Sequence, residues 1–252
     1  MKVIILAGGK GTRLRPQTNN IPKALVKIGK HPIIWHIMKY YSHYGFKKFI
    51  ICLGYKGKAL RDYFLNYIYQ FSDFTIDLRS SDIHFHKKTN EDWKVTLVDT
   101  GLETTKGGRI KQIEKYLDSD INLLTYADGL SNINIKELVD FHKSHKRILT
   151  ITGVSPNSKF GRIVEKEGKV INFEEKARSS LINGGFMVFN KKLLNYIDLE
   201  SDLERDVFDY LVNIGELMVY KHNGEWKCMD TEKDYLELNE LWNNKDAFWR
   251  IW

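Results

Sequence analysis

The chain has 252 residues, of which 42% are apolar and 13% aromatic, a balance that predicts a folded globular protein and excludes a disordered chain. Its 39 Lys and Arg residues exceed its 32 Asp and Glu residues and give a formal charge of +7. Because this excess is spread along the chain, it fits small anionic substrates as well as nucleic acid, but the aromatic residues form no stacking stripe for single-stranded RNA.

In the first 155 residues, apolar runs typical of buried strands alternate with segments whose apolar residues recur at helical spacing. The strand-like runs are residues 3–7, 48–53, 95–98, 122–126 and 148–154. The helix-like segments are residues 32–44, 56–69, 108–117 and 135–145. Strands separated by helices of this length predict an α/β fold with a doubly wound, mostly parallel, Rossmann-like sheet.

After Pro156 the pattern changes to shorter strands with alternating polarity. Hairpin-like strands are predicted at residues 162–166, 170–174 and 185–189, and a strand pair at 217–220 and 225–229. Helices are predicted at residues 191–197, 203–212 and 231–241. Since no linker interrupts the sequence, we expect one domain over 1–252, with an α/β core at 1–155 and a smaller β-rich part at 156–252.

The apolar run at the amino terminus stops at Gly8 and lacks the length and cleavage site of a signal peptide. No stretch reaches the roughly 18–20 apolar residues that a membrane helix needs. Cys52 and Cys228 are too few for a disulfide framework and are expected to be buried, reduced thiols. These features predict a cytoplasmic protein.

The strongest local signal is a glycine-rich loop directly after the first strand. Gly8, Gly9 and Gly11 allow the backbone to approach a ligand and direct N–H groups at phosphate oxygens, and Arg13 adds a bidentate donor. The loop is neither a Walker A motif nor a dinucleotide fingerprint. The alternative interpretation is a turn that uses glycine only for tight packing.

Three charged residues are further candidates for a phosphate or metal site. Lys23 follows Pro22 and lies close enough in sequence to the loop for a second phosphate contact, although a lone lysine is usually a surface charge. Asp128 follows a buried strand, where α/β sheets bind ligands, and a carboxylate facing a triphosphate suits Mg²⁺; a turn aspartate is the alternative. Asp230 ends a late strand, and there the alternative is a helix N-cap.

In their order, these motifs resemble the sugar-phosphate nucleotidyltransferases, and most narrowly the cytidylyltransferases that act on glucose 1-phosphate. The resemblance covers essentially the whole chain. Besides the residues above, it rests on segments 35–39, 49–57, 95–101, 107–109, 175–176, 183–186, 229–231 and 248–249. The glycine loop specifies only the superfamily, whereas Thr-Leu-Val-Asp-Thr-Gly at 96–101 indicates the cytidylyl branch.

The resemblance implies transfer of CMP from CTP to a sugar 1-phosphate with release of pyrophosphate, Mg²⁺ being the cofactor. Catalytic roles would fall to Arg13, Lys23 and Asp128, and the metal to Asp128 and Asp230. The nucleotide would contact Leu6, Ala7, Gly8, Gly9, Gly11, Thr12, Arg13, Lys23, Thr100, Gly101, Arg109 and Asp128. The acceptor would contact Glu175, Lys176, Asn183 and Gly184. No protein nucleophile is required.

Two departures from the family pattern lie on the acceptor side. The usual Glu-Lys-Pro is here Glu175-Lys176-Ala177, and segment 203–208 lacks the Trp-Glu-Gln-Glu-Pro-Leu sequence expected there. Because the nucleotide side keeps the family pattern, the resemblance supports cytidylyl transfer better than it supports the acceptor. Glucose 1-phosphate is the first acceptor to consider, for a role in surface polysaccharide biosynthesis. Another sugar, polyol or amino-acid phosphate stays open, as does a non-catalytic nucleotide-binding paralogue.

Aromatic residues crowd the carboxyl terminus, including Trp249 and Trp252. Such a tail would expose an apolar patch on a monomer, so a homo-oligomer is predicted, with docking onto its own chain as the alternative. His84 and His86 are interpreted as surface or interface residues, because no third metal ligand accompanies them. Neither a nucleic acid nor a membrane is expected as a partner.

Overall fold

The computed structural model describes residues 1–87, 91–155, 162–166, 169–174 and 181–252. Its strands are β1 Val3–Leu6, β2 Lys27–Ile28, β3 His31–Pro32, β4 Lys48–Leu53, β5 Asp73–Ile76, β6 Ile83–Lys87, β7 Lys94–Asp99, β8 Ile121–Tyr126, β9 Gly129–Ser131, β10 Leu149–Val154, β11 Arg162–Lys166, β12 Lys169–Glu174, β13 Ile182–Asn190, β14 Leu217–His222 and β15 Trp226–Cys228. Its α-helices are α1 Ile33–His43, α2 Gly57–Leu65, α3 Tyr67–Phe71, α4 Lys106–Gln112, α5 Ile135–His145, α6 Asp209–Asn213 and α7 Glu232–Asn243.

A seven-stranded sheet in the order β14-β10-β13-β8-β1-β4-β7 forms the centre of the fold. Strand β1 pairs in parallel with both β4 and β8, and only β13 runs antiparallel to its neighbours β8 and β10. All four residues of β1 are buried, as expected of a central parallel strand covered on both faces. The predicted α/β class with a mostly parallel sheet is confirmed.

The two faces of the sheet are covered by different helices. Alternate β1 residues point to opposite faces, so Val3 and Ile5 pack with α1 and α5, whereas Ile4 and Leu6 pack with α4 and α6. Because the loops that connect strands to helices gather at the carboxyl ends of the parallel strands, the fold places the glycine loop and Asp128 at one edge.

Several details of the β-rich part differ from the sequence prediction. The predicted short strand at 185–189 is a nine-residue strand, β13, inside the main sheet. The predicted pair at 217–220 and 225–229 is wrong as a pair, because β14 joins the main sheet beside β10 while β15 pairs with β9. In the first part of the chain, the hairpin of β5 and β6 was not predicted. Alternation of polarity gives the strand but not its partner, which is set by contacts far along the chain.

The carboxyl-terminal tail packs on its own chain, which was the alternative to a contact between subunits. Trp249 is fully buried, and its Nε1 donates to Nδ1 of His36 in α1 at 3.3 Å. The Trp252 ring lies 5.9 Å from that of Trp35. The apolar tail thus completes the core under the sheet rather than forming an exposed patch.

Cys52 is a buried free thiol, as predicted, and Cys228 is a free thiol that is only partly buried. His84 and His86 lie exposed on β6, where Nε2 of His86 is 2.8 Å from the Thr75 hydroxyl. Among the described residues, no helix combines the length and the apolar character that crossing a membrane requires.

Candidate active site

The glycine loop is shaped by two close approaches. A Cβ at position 8 would lie 2.3 Å from Cζ of Arg109, and a Cβ at position 54 would lie 2.7 Å from the Gly8 carbonyl oxygen. Gly11 adopts the left-handed conformation with φ 59°, and its carbonyl oxygen accepts a hydrogen bond from the Thr18 hydroxyl at 2.9 Å. The loop therefore needs glycine for space at 8 and for backbone conformation at 11.

Arg109 lies directly under this loop, and its guanidinium donates hydrogen bonds to protein oxygens. Its Nη1 donates to the carbonyl oxygens of Leu53 and Gly101 and to the Thr100 hydroxyl, and its Nη2 to the Leu102 carbonyl oxygen, at 2.7–3.1 Å. The residue is 5% exposed, and burial lowers the pKa of its guanidinium. Arg109 thus ties residues 100–102 to the underside of the glycine loop.

Asp128 and Asp230 are brought together by the pairing of β9 with β15. Gly129 is opposite Cys228 in that ladder, and the Met229 N–H donates to the Asp128 carbonyl oxygen at 2.9 Å. The N-cap of α7 is Thr231, whose hydroxyl accepts from the Asp234 N–H while the Asp234 carboxylate accepts from the Thr231 N–H. The interpretation of Asp230 as a helix cap is therefore wrong, and its carboxylate is directed elsewhere.

Lys23 lies between the two carboxylates. Its Nζ is 2.6 Å from Oδ2 of Asp128 and 2.5 Å from Oδ1 of Asp230, and Arg13 Nη2 is 2.9 Å from Oδ2 of Asp230. Burial alone would lower the pKa of Lys23, but attraction and hydrogen bonds to Asp128 and Asp230 outweigh burial and raise it above 10.5. At Asp230, burial alone would raise the pKa, but the hydrogen bond and the positive charge of Lys23 outweigh burial and lower the pKa below 3.8. Two cations and two carboxylates therefore face one another.

The same carboxylates fit a divalent cation. One ligand atom each from Asp128, Cys228 and Asp230 lie within 4.8 Å of one another, and the carboxylates already converge on one ammonium group. Mg²⁺ prefers one or two carboxylates completed by phosphate oxygens and water. Because burial raises the pKa of the Cys228 thiol, the two aspartates are the hard, charged donors of this set.

A second polar group lies around Tyr126, the last residue of β8. Its hydroxyl donates to Oε1 of Glu204 at 2.6 Å and interacts with the Asn183 side chain, while burial and Glu204 raise its pKa. Nζ of Lys106 also donates to Oε1 of Glu204 and lies 4.8 Å from the centre of the Tyr126 ring. Neither Lys106, Tyr126 nor Glu204 was predicted, although Tyr126 precedes the Asp128 motif and Lys106 precedes Gly107.

These groups surround a cavity of about 510 Å³ at the carboxyl ends of β1 and β8. Its predicted lining residues are Leu6, Ala7, Gly8, Gly9, Gly11, Thr12, Arg13, Lys23, Arg109, Asp128 and Asp230. Leu102, Glu103, Thr104, Lys106 and Tyr126 also line it. The predicted residues Thr100 and Gly101 are not part of this lining, but both accept hydrogen bonds from Arg109, which is.

The predicted acceptor residues are only partly described. Oδ1 of Asn183 accepts from the Gly185 N–H at 2.9 Å, and the Gly184 carbonyl oxygen accepts from Trp226 Nε1 at 2.8 Å. Both residues lie at the start of β13, next to β8. Glu175 and Lys176 lie outside the described residues.

The sequence matches one family of known proteins over nearly its whole length. The profile of the nucleotidyl transferase family matches residues 2–245. The chain is 41% identical to a probable glucose-1-phosphate cytidylyltransferase of Bacillus subtilis and 43% identical to the glucose-1-phosphate cytidylyltransferase of Salmonella typhimurium, with 100% of each chain covered in both cases. It is 28% identical, over 94% of its length and 62% of the relative's, to a mannose-1-phosphate guanyltransferase of Aspergillus oryzae.

Solved structures share the fold at lower identity. HddC from Yersinia pseudotuberculosis superposes with a TM-score of 0.69 at 23% identity, over 96% of this chain and 99% of that one. A UDP-glucose pyrophosphorylase bound to UDP-glucose gives 0.68 at 18% identity, over 97% and 98%. These neighbours support the α/β architecture described above.

Proposed function

Since this chain belongs to the nucleotidyl transferase family and is a full-length relative of glucose-1-phosphate cytidylyltransferases, we propose that it transfers CMP from CTP to α-D-glucose 1-phosphate, giving CDP-glucose and pyrophosphate. The observation that carries the proposal is the convergence of Lys23, Arg13, Asp128 and Asp230 on the floor of the glycine-loop cavity. Cations for phosphate and carboxylates for a metal are thus held in one place.

The nucleotide side of the reaction would use the glycine loop. Backbone N–H groups of Gly8, Gly9, Gly11 and Thr12 would hold the triphosphate, with Arg13 as a bidentate partner. Lys23 would face the α-phosphate, because its ammonium lies beside both carboxylates. Thr100, Gly101 and Arg109 would shape the base pocket, where the Arg109 bonds fix loop 100–102.

Asp128 and Asp230 would hold Mg²⁺, which when bound neutralises charge on the phosphate oxygens. The protein's own contribution is to position and neutralise: the acceptor phosphate attacks the α-phosphorus in line, so no side chain must act as a nucleophile. Lys23 keeps its proton, because attraction and hydrogen bonds to the carboxylates raise its pKa, and Arg13 is paired with Asp230. A cation at fixed distance stabilises the negative charge that develops in the transition state.

Residues 156–252 would supply most contacts to the acceptor, and residues 1–155 most contacts to the nucleotide. We propose Lys176 as a cation for the acceptor phosphate, and Glu175, Asn183 and Gly184 as neighbours of the sugar hydroxyls. Support comes from the place of Asn183 and Gly184 at the start of β13, beside the end of β8 that leads to Asp128.

We also propose that the protein forms a homo-oligomer, lies in the cytoplasm and acts in polysaccharide biosynthesis. For assembly, the support is the apolar side chains exposed on β5 and β6, among them Phe74, Ile76 and Ile83. These residues replace the carboxyl-terminal tail as the expected contact between subunits.

The experiment that tests the function is a coupled pyrophosphate assay with Mg²⁺, CTP and a panel of phosphorylated acceptors. We expect glucose 1-phosphate to give the highest kcat/KM, and UTP to give much less product than CTP. A higher kcat/KM with a polyol or amino-acid phosphate would overturn the acceptor. Silence over the whole panel, with measurable CTP binding, would mean a nucleotide-binding paralogue.

A further inference from the structure

Lys106, Tyr126 and Glu204, which we call the wall triad, come from three distant parts of the chain. Oε1 of Glu204 accepts hydrogen bonds from both Tyr126 and Lys106, and the Lys106 ammonium also lies over the Tyr126 ring. Lys106 and Tyr126 line the cavity, and the Lys106 side chain is 48% exposed. The triad therefore holds the Lys106 ammonium, paired with the Glu204 carboxylate, at the cavity wall.

The topology places this charge away from the glycine loop. In the sheet β8 lies between β1, which leads to the glycine loop, and β13, which begins near Asn183. Tyr126 packs against the β13 side, because a Cβ at Gly185 would be 2.9 Å from its ring and its hydroxyl interacts with Asn183. Lys106 thus lies at the β13 end of the cavity.

Helix α4 connects the two ends. Arg109, three residues after Lys106 and on the same helix face, lies under Gly8, whereas Lys106 lies over Tyr126. A ligand that extends from the glycine loop toward β13 would therefore pass along this face. Tyr126 and Asp128 are separated by one residue, so their Cα atoms are at most roughly 7 Å apart.

The other cations that line the cavity among the described residues lie at its glycine-loop end. Arg13 and Lys23 pair with Asp230 and Asp128, and Arg109 is bound to carbonyl oxygens. Lys10, in the glycine loop, pairs with Glu103. At the β13 end, the described part of the chain offers Lys106 as the cation that a phosphomonoester dianion would meet.

We infer that Lys106 contacts the phosphate of the acceptor, and that Glu204 and Tyr126 are positioning residues that hold its ammonium at the cavity wall. The inference rests on the proposed function and names a phosphate-binding residue in addition to Lys176. An ammonium keeps two further donors after one hydrogen bond to Glu204, so it can bind a phosphate oxygen without leaving the triad.

The test measures KM for glucose 1-phosphate and for CTP in Lys106→Met. We expect the acceptor KM to rise about 10-fold or more, as loss of a charge-assisted hydrogen bond implies, while the CTP KM changes less than about 2-fold. Lys106→Arg, which keeps the charge, should recover most of the acceptor KM. Lys115→Met is the matched control, because Lys115 lies over the Tyr116 ring outside the cavity.

A double-mutant cycle separates positioning from direct contact. Glu204→Gln keeps an oxygen for the Tyr126 hydroxyl but loses the charge that holds Lys106, so the acceptor KM should rise by a smaller factor. If Glu204 acts through Lys106, adding Glu204→Gln to Lys106→Met should not raise the acceptor KM further. Independent, multiplicative effects of the two changes would show that Glu204 does not act through Lys106.

The outcomes separate this inference from the proposed function. A wild-type protein that binds CTP but forms no product would count against the proposed function. It would also overturn the role of Lys106, which requires an acceptor phosphate. Wild-type activity with an unchanged acceptor KM in Lys106→Met would overturn the inference alone. A rise in the CTP KM instead would place Lys106 on the nucleotide and also overturn it, and equilibrium CTP binding checks that each variant is folded.

Discussion

At the scale of single residues, the carboxylate of Asp230 decides between a structural and a functional site. The helix cap at this position is supplied by Thr231, while the Asp230 carboxylate contacts Lys23 and Arg13. The sequence alone could not make this distinction, since an aspartate directly before a helix satisfies both interpretations.

Asp230→Asn should therefore lower kcat by roughly 10²-fold or more, as loss of one electrostatic contact in the transition state does. Because the capping box remains, its free energy of unfolding should fall only by what the contacts of Asp230 with Lys23 and Arg13 contribute. Thr231→Ala should do the reverse and cost about 1 kcal/mol of stability. Steady-state assays and urea unfolding of both variants check this. Near-normal turnover in Asp230→Asn would remove Asp230 from the metal site.

The lowered pKa of Asp230 predicts how stability depends on pH. A carboxylate whose pKa is depressed in the folded state contributes stability that is present above its unfolded value of 3.8 and is lost as pH falls through the folded value. The stability difference between wild type and Asp230→Asn should be constant above about pH 5 and should close below pH 3.8. Urea unfolding from pH 3 to 7 measures it, and a difference that does not change with pH would contradict the pairing.

At the scale of elements, the glycine loop and α4 form one unit through Arg109. The sequence indicated both pieces separately, but the contact between Gly8 and Arg109 joins residues about a hundred positions apart. The sequence motifs therefore identified the loop but not the contact with Arg109 that supports it. It missed Glu204 for the same reason, since Glu204 is 78 residues from the Tyr126 hydroxyl that it binds.

Gly8→Ala tests this unit. The new Cβ would overlap the Arg109 guanidinium, so we expect a loss of about 1–3 kcal/mol in the free energy of unfolding, as overpacked sites show. Gly9→Ala is the matched comparison for stability, because a Cβ there meets nothing within 4 Å. Urea unfolding compares the two variants. Equal free energies of unfolding for the two variants would mean that the loop can shift away from Arg109 without loss of stability, and would contradict this account.

At the scale of the whole molecule, the sequence predicted the parallel core well and the strand partners of the second half poorly. Continuous apolar runs such as β1 specify burial on both faces, and burial in α/β proteins implies a parallel central strand. The place of β13 depends instead on pairing with β8, about 60 residues earlier, which no local pattern contains. Trp249 illustrates the same limit, because its aromatic character predicted burial but not in which chain.

Assembly is expected to use the hairpin of β5 and β6. Phe74, Ile76 and Ile83 are 38–46% exposed there, an unusual concentration of apolar side chains on a monomer surface. Replacing all three by Ser should convert an oligomer to a monomer of 29.6 kDa in sedimentation at micromolar concentration. A wild-type protein that is already monomeric, or a triple variant that stays oligomeric, would exclude this hairpin as the contact.

The central claim, that the cavity joins CMP to a sugar phosphate, is tested most directly by following the α-phosphate itself. CTP labelled at the α-phosphorus is incubated with the enzyme, Mg²⁺ and glucose 1-phosphate, and the products are separated. The geometry of Lys23, Asp128 and Asp230 predicts that the label appears in CDP-glucose and not in pyrophosphate. Label recovered as CMP or CDP, or left in CTP despite tight binding, would contradict the claim.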